Sequence, residues 1–183
     1  MQEIKFHGRG GQGVVTASQM LGLAYFKGGM YPQCYSLFGG ERRGAPVVSF
    51  LRVDQKKILL KCEIKNPNQL IIFDASLVDP DEIRKQVVPG TKILINTSKM
   101  SDVIERLRDF TVGIIDASCI AENLRLGHVI NTTILGAYCR LFESLSVNKV
   151  IEAVMEMVPA KKSENAKAVI EGNNRVTLIK GRR

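Results

Sequence analysis

Residues 4–17 read IKFHGRGGQGVVTA, a short strand that runs into a glycine-rich turn and then into a helix. The turn has the pattern G-x-G-x-x-G at Gly8, Gly10 and Gly13, in the strand-to-helix context that this motif requires. In such turns the first glycine allows the tight bend, the second lets a phosphate approach the backbone, and the third lets helix and strand pack closely. Because N–H groups at a helix start attract anions, the turn is a candidate phosphate site, and a tight turn without a ligand is the alternative.

The residues after the turn predict a helix followed by several strands. Apolar residues recur at helical spacing up to about Lys27, where Gly28-Gly29 ends the helix. Residues 31–37 predict a second strand. Two further strand-like runs, residues 47–53 and 57–62, are joined by a short polar segment and predict an antiparallel hairpin.

Farther along, three continuous apolar runs alternate with helical segments and end at Asp74, Asn96 and Asp116. Such runs predict a parallel sheet that is buried on both faces. We therefore expect an α/β fold with three α/β/α layers and a Rossmann-like, mostly parallel sheet, which the hairpin makes mixed. The three polar residues either cap the segments that follow them or face a ligand at the carboxyl edge of the sheet.

Helix signals dominate the remaining sequence. Asp79-Pro80 is typical of a helix start, and Ser101 predicts the start of a second helix that reaches Leu107. Apolar periodicity predicts two longer helices, at about residues 130–145 and 147–158.

The positive charge of the chain is concentrated at its C-terminal end. The formal net charge is +8, and residues 161–183 contain seven Lys or Arg against two Glu. We expect a single domain over residues 1–183, in which residues 160–183 form a helix, from Ser163 to about Ile179, and a basic tail. Because the rest of the chain is nearly balanced in charge and contains no tryptophan, nucleic acid is not an expected partner. A nucleic-acid-binding module remains an alternative, and it would bind with steep salt dependence.

The composition also limits the metal chemistry and the cellular setting. The four cysteines form no C-x-x-C pair and the chain has only two histidines, so we expect neither an iron–sulfur cluster nor a zinc site, and the thiols are expected to be buried. No apolar run approaches the roughly 20 residues of a membrane span. The strand-like opening does not resemble a secretory signal, and we expect a cytoplasmic protein without a membrane partner.

The charges around the turn distinguish between phosphate-bearing ligands. A dinucleotide site predicts an acidic residue about 20 positions after the turn, whereas residues 28–36 contain no Asp or Glu. The pair Arg42-Arg43 follows instead. Because arginine forks match phosphate oxygens, a ligand with an additional phosphate, NADP or coenzyme A, fits better than NAD. The arginine pair is equally consistent with a solvated or interface loop.

Three motifs carry a resemblance to a known family. Residues 6–17, FHGRGGQGVVTA, resemble the opening of the gamma subunit of the ferredoxin-dependent 2-oxoacid oxidoreductases. Residues 38–46, FGGERRGAP, resemble the G-x-E-R-x-G-A-P loop of that family, and residues 131–137, NTTILGA, give a weaker third match. The His7-Gly8-Arg9 opening is closer to the pyruvate type than to the 2-oxoglutarate type.

The resemblance implies one subunit of a cytoplasmic hetero-oligomer that oxidatively decarboxylates a 2-oxoacid, with pyruvate expected, to an acyl-coenzyme A while reducing ferredoxin. Thiamine diphosphate, magnesium and iron–sulfur clusters are then expected only on partner chains, namely the alpha and beta subunits and a ferredoxin-like delta subunit. No catalytic or metal-ligating residue is expected on this chain. An NADP-binding, Rossmann-like reductase is the alternative reading.

Coenzyme A is the one ligand that this chain itself is expected to hold under the resemblance. Its phosphates would meet the glycine-rich turn, and the candidate residues are Gly8, Arg9, Gly10, Gly11, Gln12, Gly13, Thr16, Arg42 and Arg43. The turn would otherwise serve to pack against the partner subunits.

Overall fold

The computed structural model describes residues 1–37 and 44–181 of the chain. Strands and helices are interspersed up to Ile115, and four consecutive helices and a short strand complete the described part of the chain. In chain order the elements are β1 (Gln2–Arg9), α1 (Val14–Lys27), β2 (Tyr31–Leu37), β3 (Pro46–Asp54), β4 (Gln69–Ile72), α2 (Pro80–Gln86), β5 (Lys92–Asn96), α3 (Asp102–Glu105), β6 (Thr111–Ile115), α4 (Ala117–Asn123), α5 (Asn131–Phe142), α6 (Val147–Met157), α7 (Lys162–Arg175) and β7 (Thr177–Ile179).

The seven strands form one sheet in the order β2-β3-β1-β4-β5-β6-β7. The central strands β1, β4, β5 and β6 are parallel neighbours. At one edge β3 runs antiparallel to both β1 and β2, and at the other edge β7 runs antiparallel to β6. The predicted α/β fold with a mixed sheet is confirmed, and the central parallel strands carry the carboxyl edge at which the sequence predicts a ligand.

The predicted hairpin between residues 47–53 and 57–62 is wrong. Residues 47–53 belong to β3, but their antiparallel partners are β2 and β1, and residues 57–62 form no strand. The reason is that β1 and β2 already occupy both sides of β3. The segment is held by side chains of the sheet instead: Arg52, which is 2% exposed, donates through Nη1 to the Cys62 carbonyl oxygen over 2.6 Å, and the Ile64 N–H donates to Tyr35 Oη over 2.6 Å.

Helices cover the sheet on both faces, as the three-layer prediction requires. The larger hydrophobic cluster lies between the sheet and helices α1, α4, α5, α6 and α7, and includes Phe6, Leu21 and Ile134. A smaller cluster joins β4, β5 and β6 to α2 and α3 through residues such as Ile83 and Ile104. Asp79 caps α2 through its side chain, and Ser101 caps α3, which ends at Glu105, short of the predicted Leu107.

Helices α5 and α7 cross with their backbones almost in contact. A Cβ at Gly136 would lie 1.9 Å from the Val169 carbonyl oxygen, and a Cβ at Gly172 would lie 2.0 Å from the Thr133 carbonyl oxygen. Both positions therefore need glycine for space. Since Gly136 belongs to the third motif of the resemblance, at least part of that motif serves helix packing.

The C-terminal segment and the thiols also depart from the sequence-based expectations. The last helix ends at Arg175, and residues 177–179 form β7 against β6 instead of continuing as helix to Ile179. Strand pairing at an open sheet edge satisfies backbone groups that a helix end would leave exposed. The expectation of buried thiols is correct for Cys139 and wrong for Cys34, Cys62 and Cys119, which are exposed.

Candidate functional site

The glycine-rich turn lies at the carboxyl end of β1, where the backbone has little room for side chains. Gly13 adopts a φ of 74° as the N-terminal cap residue of α1, and no side chain caps this helix end. A Cβ at Gly8 would lie 2.6 Å from Val14 Cγ2 and 2.8 Å from Phe73 Cβ. The turn thus needs glycine for packing and conformation, and the helix N-terminus keeps backbone N–H groups available for an acceptor.

The third motif of the resemblance meets the first at Asn131. A Cβ at Gly13 would lie 2.7 Å from Asn131 Nδ2, and Asn131 is itself buried at the start of α5. The sequence alone did not predict this contact, because the two residues are far apart in the chain and neither hydropathy nor spacing links them. The resemblance was the only signal that could have pointed to Asn131.

The second motif is joined to the first by backbone hydrogen bonds. The Gly10 N–H donates to the Ala45 carbonyl oxygen over 2.8 Å, and the Gly44 N–H donates to the Gly10 carbonyl oxygen over 3.2 Å. Arg42 and Arg43, the candidate phosphate-binding residues of this motif, lie outside the described residues. The residue that follows them in the chain is nevertheless fastened to the glycine-rich turn.

Arg9 is engaged by three acceptors of the protein itself. Its Nε donates to Asp74 Oδ2 over 2.8 Å and its Nη2 to Ser76 Oγ over 2.9 Å. Its Nη1 donates to the Gly44 carbonyl oxygen over 3.2 Å. The guanidinium therefore bridges the turn, the second motif and the end of β4, with its side chain 36% exposed.

Asp74 is held in its charged form by these contacts. Partial burial alone would raise the pKa of its carboxyl group, but hydrogen bonds from Ser76 and Arg9 and the charge of Arg9 together lower the pKa below its ordinary value of 3.8. Ser76 donates to Asp74 Oδ1 through its backbone N–H and its hydroxyl, over 3.0 and 2.7 Å. The carboxylate is thus a structural junction at the edge of the site.

Gln12 fixes the conformation of the turn and faces the adjoining clefts. Its Oε1 accepts a hydrogen bond from the Arg9 N–H over 2.8 Å. The side chain is half-buried and lines two clefts on the carboxyl side of the sheet. Of the candidate residues, Gly10, Gly11 and Gln12 line the larger cleft, whereas the exposed Thr16 lies in the first turn of α1 and lines neither cleft.

The two clefts lie over different parts of the carboxyl edge of the sheet. The larger, of about 760 Å³, extends from the glycine-rich turn to Ser118, Glu122 and His128. The second, of about 600 Å³, lies over the ends of the parallel strands at Asn96 and Asp116. Glu122 lines both clefts, so the described walls contribute negative charge next to backbone N–H donors.

The polar residues at the strand ends act as caps and bridges. Asn96 donates through Nδ2 to the Phe73 carbonyl oxygen over 3.0 Å and accepts at Oδ1 from the Ala117 N–H over 2.9 Å. Asp116 accepts from the Cys119 N–H over 2.9 Å as the cap of α4. The predicted capping of the following segment is confirmed for Asp74 and Asp116, whereas Asn96 bridges the ends of the two neighbouring strands instead.

His7 lies beside the turn but lines neither of the two clefts. Burial lowers the pKa of His7 from its ordinary value of 6.5, and the charges of Lys5 and Arg9 lower it further. Its ring lies on the α2 side of the sheet, in a small cavity of about 90 Å³ shared with Ile83.

Within residues 1–37 and 44–181, no group of three or more His, Cys, Asp or Glu side chains is arranged to hold a metal ion. In the same ranges, no helix combines the length and apolar character needed to cross a bilayer.

Comparison with known proteins gives a consistent result over nearly the whole chain. The family described as pyruvate ferredoxin/flavodoxin oxidoreductase matches residues 3–175. A pyruvate/ketoisovalerate oxidoreductases common subunit gamma from Thermococcus kodakarensis is 38% identical over 182 residues, which cover 97% of this chain and 98% of that protein. A pyruvate synthase subunit PorC from Methanocaldococcus jannaschii is 40% identical over 169 residues, covering 92% and 93% of the two chains.

Solved structures extend this similarity to the fold. The crystal structure of pyruvate oxidoreductase subunit PORC from Thermotoga maritima is 28% identical, with a TM-score of 0.84 and 97% of both chains covered. A 2-oxoglutarate:ferredoxin oxidoreductase from Magnetococcus marinus, 19% identical with a TM-score of 0.76, covers 94% of this chain but 30% of its own. The same fold therefore occurs as a separate chain and as part of a longer polypeptide.

Proposed function

The chain belongs to the pyruvate ferredoxin/flavodoxin oxidoreductase family, and on this premise we propose that it is the gamma subunit of a complex that converts pyruvate to acetyl-coenzyme A and reduces ferredoxin. The observation that carries the proposal is the end-to-end match to gamma-type subunits that are separate chains of similar length. Alpha and beta subunits would hold thiamine diphosphate and magnesium, and a delta subunit would hold iron–sulfur clusters.

Substrate choice is assigned to the partner chains. One relative is named as a gamma subunit common to pyruvate and ketoisovalerate oxidoreductases, and a subunit shared by two enzymes cannot by itself distinguish their substrates. The described walls of the two clefts carry His128, Cys119, Ser118 and the carboxylates of Asp74, Asp116 and Glu122. Asp74 is engaged by Arg9, and Asp116 caps α4. We assign a positional role to this chain.

Affinity purification of the tagged full-length chain from its native cells tests the subunit assignment. Thiamine-diphosphate-binding and cluster-bearing chains should co-purify, and the complex should reduce a viologen dye when pyruvate and coenzyme A are both present. Recovery of the chain alone, or of a complex inactive with every 2-oxoacid offered, would contradict the assignment. A comparison of pyruvate, 2-oxoglutarate and branched-chain oxoacids then identifies the substrate.

Coenzyme A is the ligand we assign to the glycine-rich turn. The uncapped N-terminus of α1 offers backbone donors of the kind that hold phosphate oxygens. The Gly10 hydrogen bonds to Gly44 and Ala45 support this assignment, because they fasten the arginine-bearing motif to the turn. The cleft of about 760 Å³ beside the turn offers room for part of the ligand.

The charges of the described residues restrict how such a ligand is held. Arg9 is committed to Asp74, Ser76 and Gly44, and Glu122 adds negative charge to the cleft wall. We therefore assign the positive charge that a polyphosphate needs to Arg42 and Arg43, and we assign Arg9 the task of holding Gly44, the residue that follows them, against the turn. Gln12, which keeps the turn in shape, completes the set.

The contribution of this chain to the reaction follows from proximity. Coenzyme A supplies a thiol that accepts the acyl group from the partner subunits. If the turn and the arginine loop hold the phosphates, the thiol end can reach the acyl group with much of its translational freedom already lost. Orientation of this kind lowers the entropic barrier to transfer.

The reading as a self-sufficient NADP-dependent reductase has no support from the comparisons. Both relatives and the Thermotoga maritima structure are oxoacid oxidoreductase subunits by name. The described residues also pair Arg9 with Asp74, so this arginine would not be free to recognise the additional phosphate of NADP.

A further inference from the structure

A cleft of about 670 Å³ lies at the end of the sheet opposite the glycine-rich turn. It opens where β5 and β6 begin, at Lys92 and Thr111, whereas the carboxyl edge lies beyond Asn96 and Asp116. Gly90, the end of α5 and the residues of and after β7 form its remaining walls. The cleft therefore shares no wall with the site assigned to coenzyme A.

Positive charge from three separate elements converges on this cleft. Lys92 begins β5, Arg140 lies in the last turn of α5, and Lys180 follows β7. Lys92 Nζ donates to the Leu141 carbonyl oxygen over 2.9 Å. Arg140 and Lys180 take part in none of the ion pairs that join the described residues.

The carboxylates of the described lining leave these cations in excess. Asp109 is occupied by Arg84, which donates to it through Nε and Nη2 over 3.0 and 3.1 Å. Glu143 is the other carboxylate among the described lining residues. The described lining thus keeps a positive balance, which favours an anionic occupant.

The lining also offers apolar contact. Leu178 is 41% exposed on β7, which is an edge strand of the sheet. Gly90 and Gly181 present bare backbone on two sides of the cleft. An occupant that combines carboxylates with an apolar side chain therefore complements this surface better than a bare ion does.

We propose that this cleft is a docking site for an acidic peptide segment of a partner protein, with carboxylates facing Arg140 and Lys180 and an apolar side chain against Leu178. The alternative polyanion, a nucleic acid, fits less well. The one aromatic side chain of the described lining, Phe110, is 8% exposed and offers no open face on which a base could stack.

Nuclear magnetic resonance titration of the full chain, labelled with ¹⁵N, tests the docking site. The probe is a short peptide of glutamates with one central leucine. The amide signals of Gly90, Thr111, Leu178 and Gly181 should shift and saturate, and those of Gly11 and Gly13 should not. Binding should weaken as salt is added, because charges at the rim are screened.

A matched pair of double variants separates a specific site from general charge attraction. Arg140→Gln with Lys180→Gln should weaken peptide binding by about fivefold or more, the value of two exposed charge contacts. Lys57→Gln with Lys167→Gln removes the same charge from other exposed positions and should leave the affinity within about twofold.

Four results would overturn the proposal. These are equal weakening by both double variants, peptide-induced shifts at the glycine-rich turn instead of the cleft, inorganic phosphate binding in the cleft as tightly as the peptide, and tighter binding of oligothymidylate there. The first result would mean that net charge alone explains the binding, and the second would place the peptide site at the glycine-rich turn. The third would assign the cleft to a small anion, and the fourth would assign it to a nucleic acid.

Discussion

Arg9 and Asp74 form an ion pair over 2.8 Å between Nε and Oδ2. Arg9 ends β1, and Asp74 follows β4, which is the parallel neighbour of β1. The pair therefore connects the glycine-rich turn to the segment after β4. Arg9 also binds the carbonyl oxygen of Gly44, which makes one guanidinium the junction of three segments. The geometry of the proposed coenzyme A site depends on this junction.

The substitution Asp74→Asn should lower the free energy of unfolding at neutral pH and make it fall less steeply as the pH becomes acidic. The pKa of Asp74 is below its ordinary value of 3.8 in the folded chain. The pair therefore stabilises the fold above pH 3.8, and this contribution is lost as the pH falls below that value toward the lowered pKa. Since both side chains are partly exposed, the loss should be about 1 kcal/mol or less.

Urea unfolding at neutral pH and at a pH below the pKa of the Asp74 carboxyl group in the folded chain checks this prediction. The difference between wild type and Asp74→Asn should shrink in acid. The exposed Asp102→Asn serves as the control and should show a smaller difference at neutral pH. A difference between Asp74→Asn and wild type that is the same at both pH values would contradict the role given to the carboxylate.

The helix crossing between α5 and α7 gives a test of packing with a matched control. In Gly136→Ala the new Cβ would lie 1.9 Å from the Val169 carbonyl oxygen, so the helices must separate. We expect a loss of about 3 kcal/mol. In Gly22→Ala the nearest atoms are ordinary contacts at 3.5 Å, and removing a glycine from a helix should be neutral or stabilising by up to about 1 kcal/mol. Similar unfolding midpoints in urea for the two variants would show that the crossing is looser than described.

His7 should make stability depend on pH in the weakly acidic range. Burial lowers its pKa below 6.5 in the folded chain, so the unfolded chain binds the proton more readily. The contribution of His7 to the free energy of unfolding should therefore be fully present above pH 6.5, and it should decline as the pH falls from there toward the lowered pKa. His7→Gln should flatten that part of a stability profile measured by urea unfolding. An unchanged slope would mean that other groups cause it.

The four thiols should differ in reactivity toward iodoacetamide. The residue Cys34 is exposed as a whole, but its Sγ lies against α1, 3.1 Å from the Ser18 carbonyl oxygen, and desolvation of this thiol raises its pKa to about 11. Burial raises the pKa of Cys139 to about 12, and both values leave little thiolate at mildly alkaline pH. Cys62 and Cys119 are exposed, and mass spectrometry should find them alkylated first. Modification of Cys139 before Cys119 in the native chain would contradict the burial of α5.

Local patterns predicted the elements that local forces determine. The strand, glycine-rich turn and helix of residues 4–27 and the cap at Asp79 are confirmed, because turn geometry and capping act over a few residues. Strand partners depend on distant contacts. Because β1 and β2 pair with both sides of β3, residues 57–62 stay outside the sheet, and residues 177–179 pair with β6 as a strand.

The candidate site shows the same division. The motif pattern located the turn correctly, and the hydrogen bonds of Gly10 to Gly44 and Ala45 brought the second motif to it. The pairing of Arg9 with Asp74 was not predicted, since a charge in a sequence does not reveal which neighbour it meets. Asn131 was missed as a packing partner of Gly13 for the same reason.

The affinity of the assembled complex for coenzyme A, measured by isothermal titration, tests the account most directly. Two variants in this chain are compared with wild type: Gln12→Glu, which keeps the acceptor for the Arg9 N–H but adds negative charge beside the turn, and Arg42→Gln. The control Gln55→Glu makes the same change at an exposed position remote from the turn. We predict that each site variant weakens binding by about tenfold, the value of one charge-assisted contact, and that the control does not. Unchanged affinity in both site variants, with the complex intact, would contradict the account and leave the turn with a packing role alone.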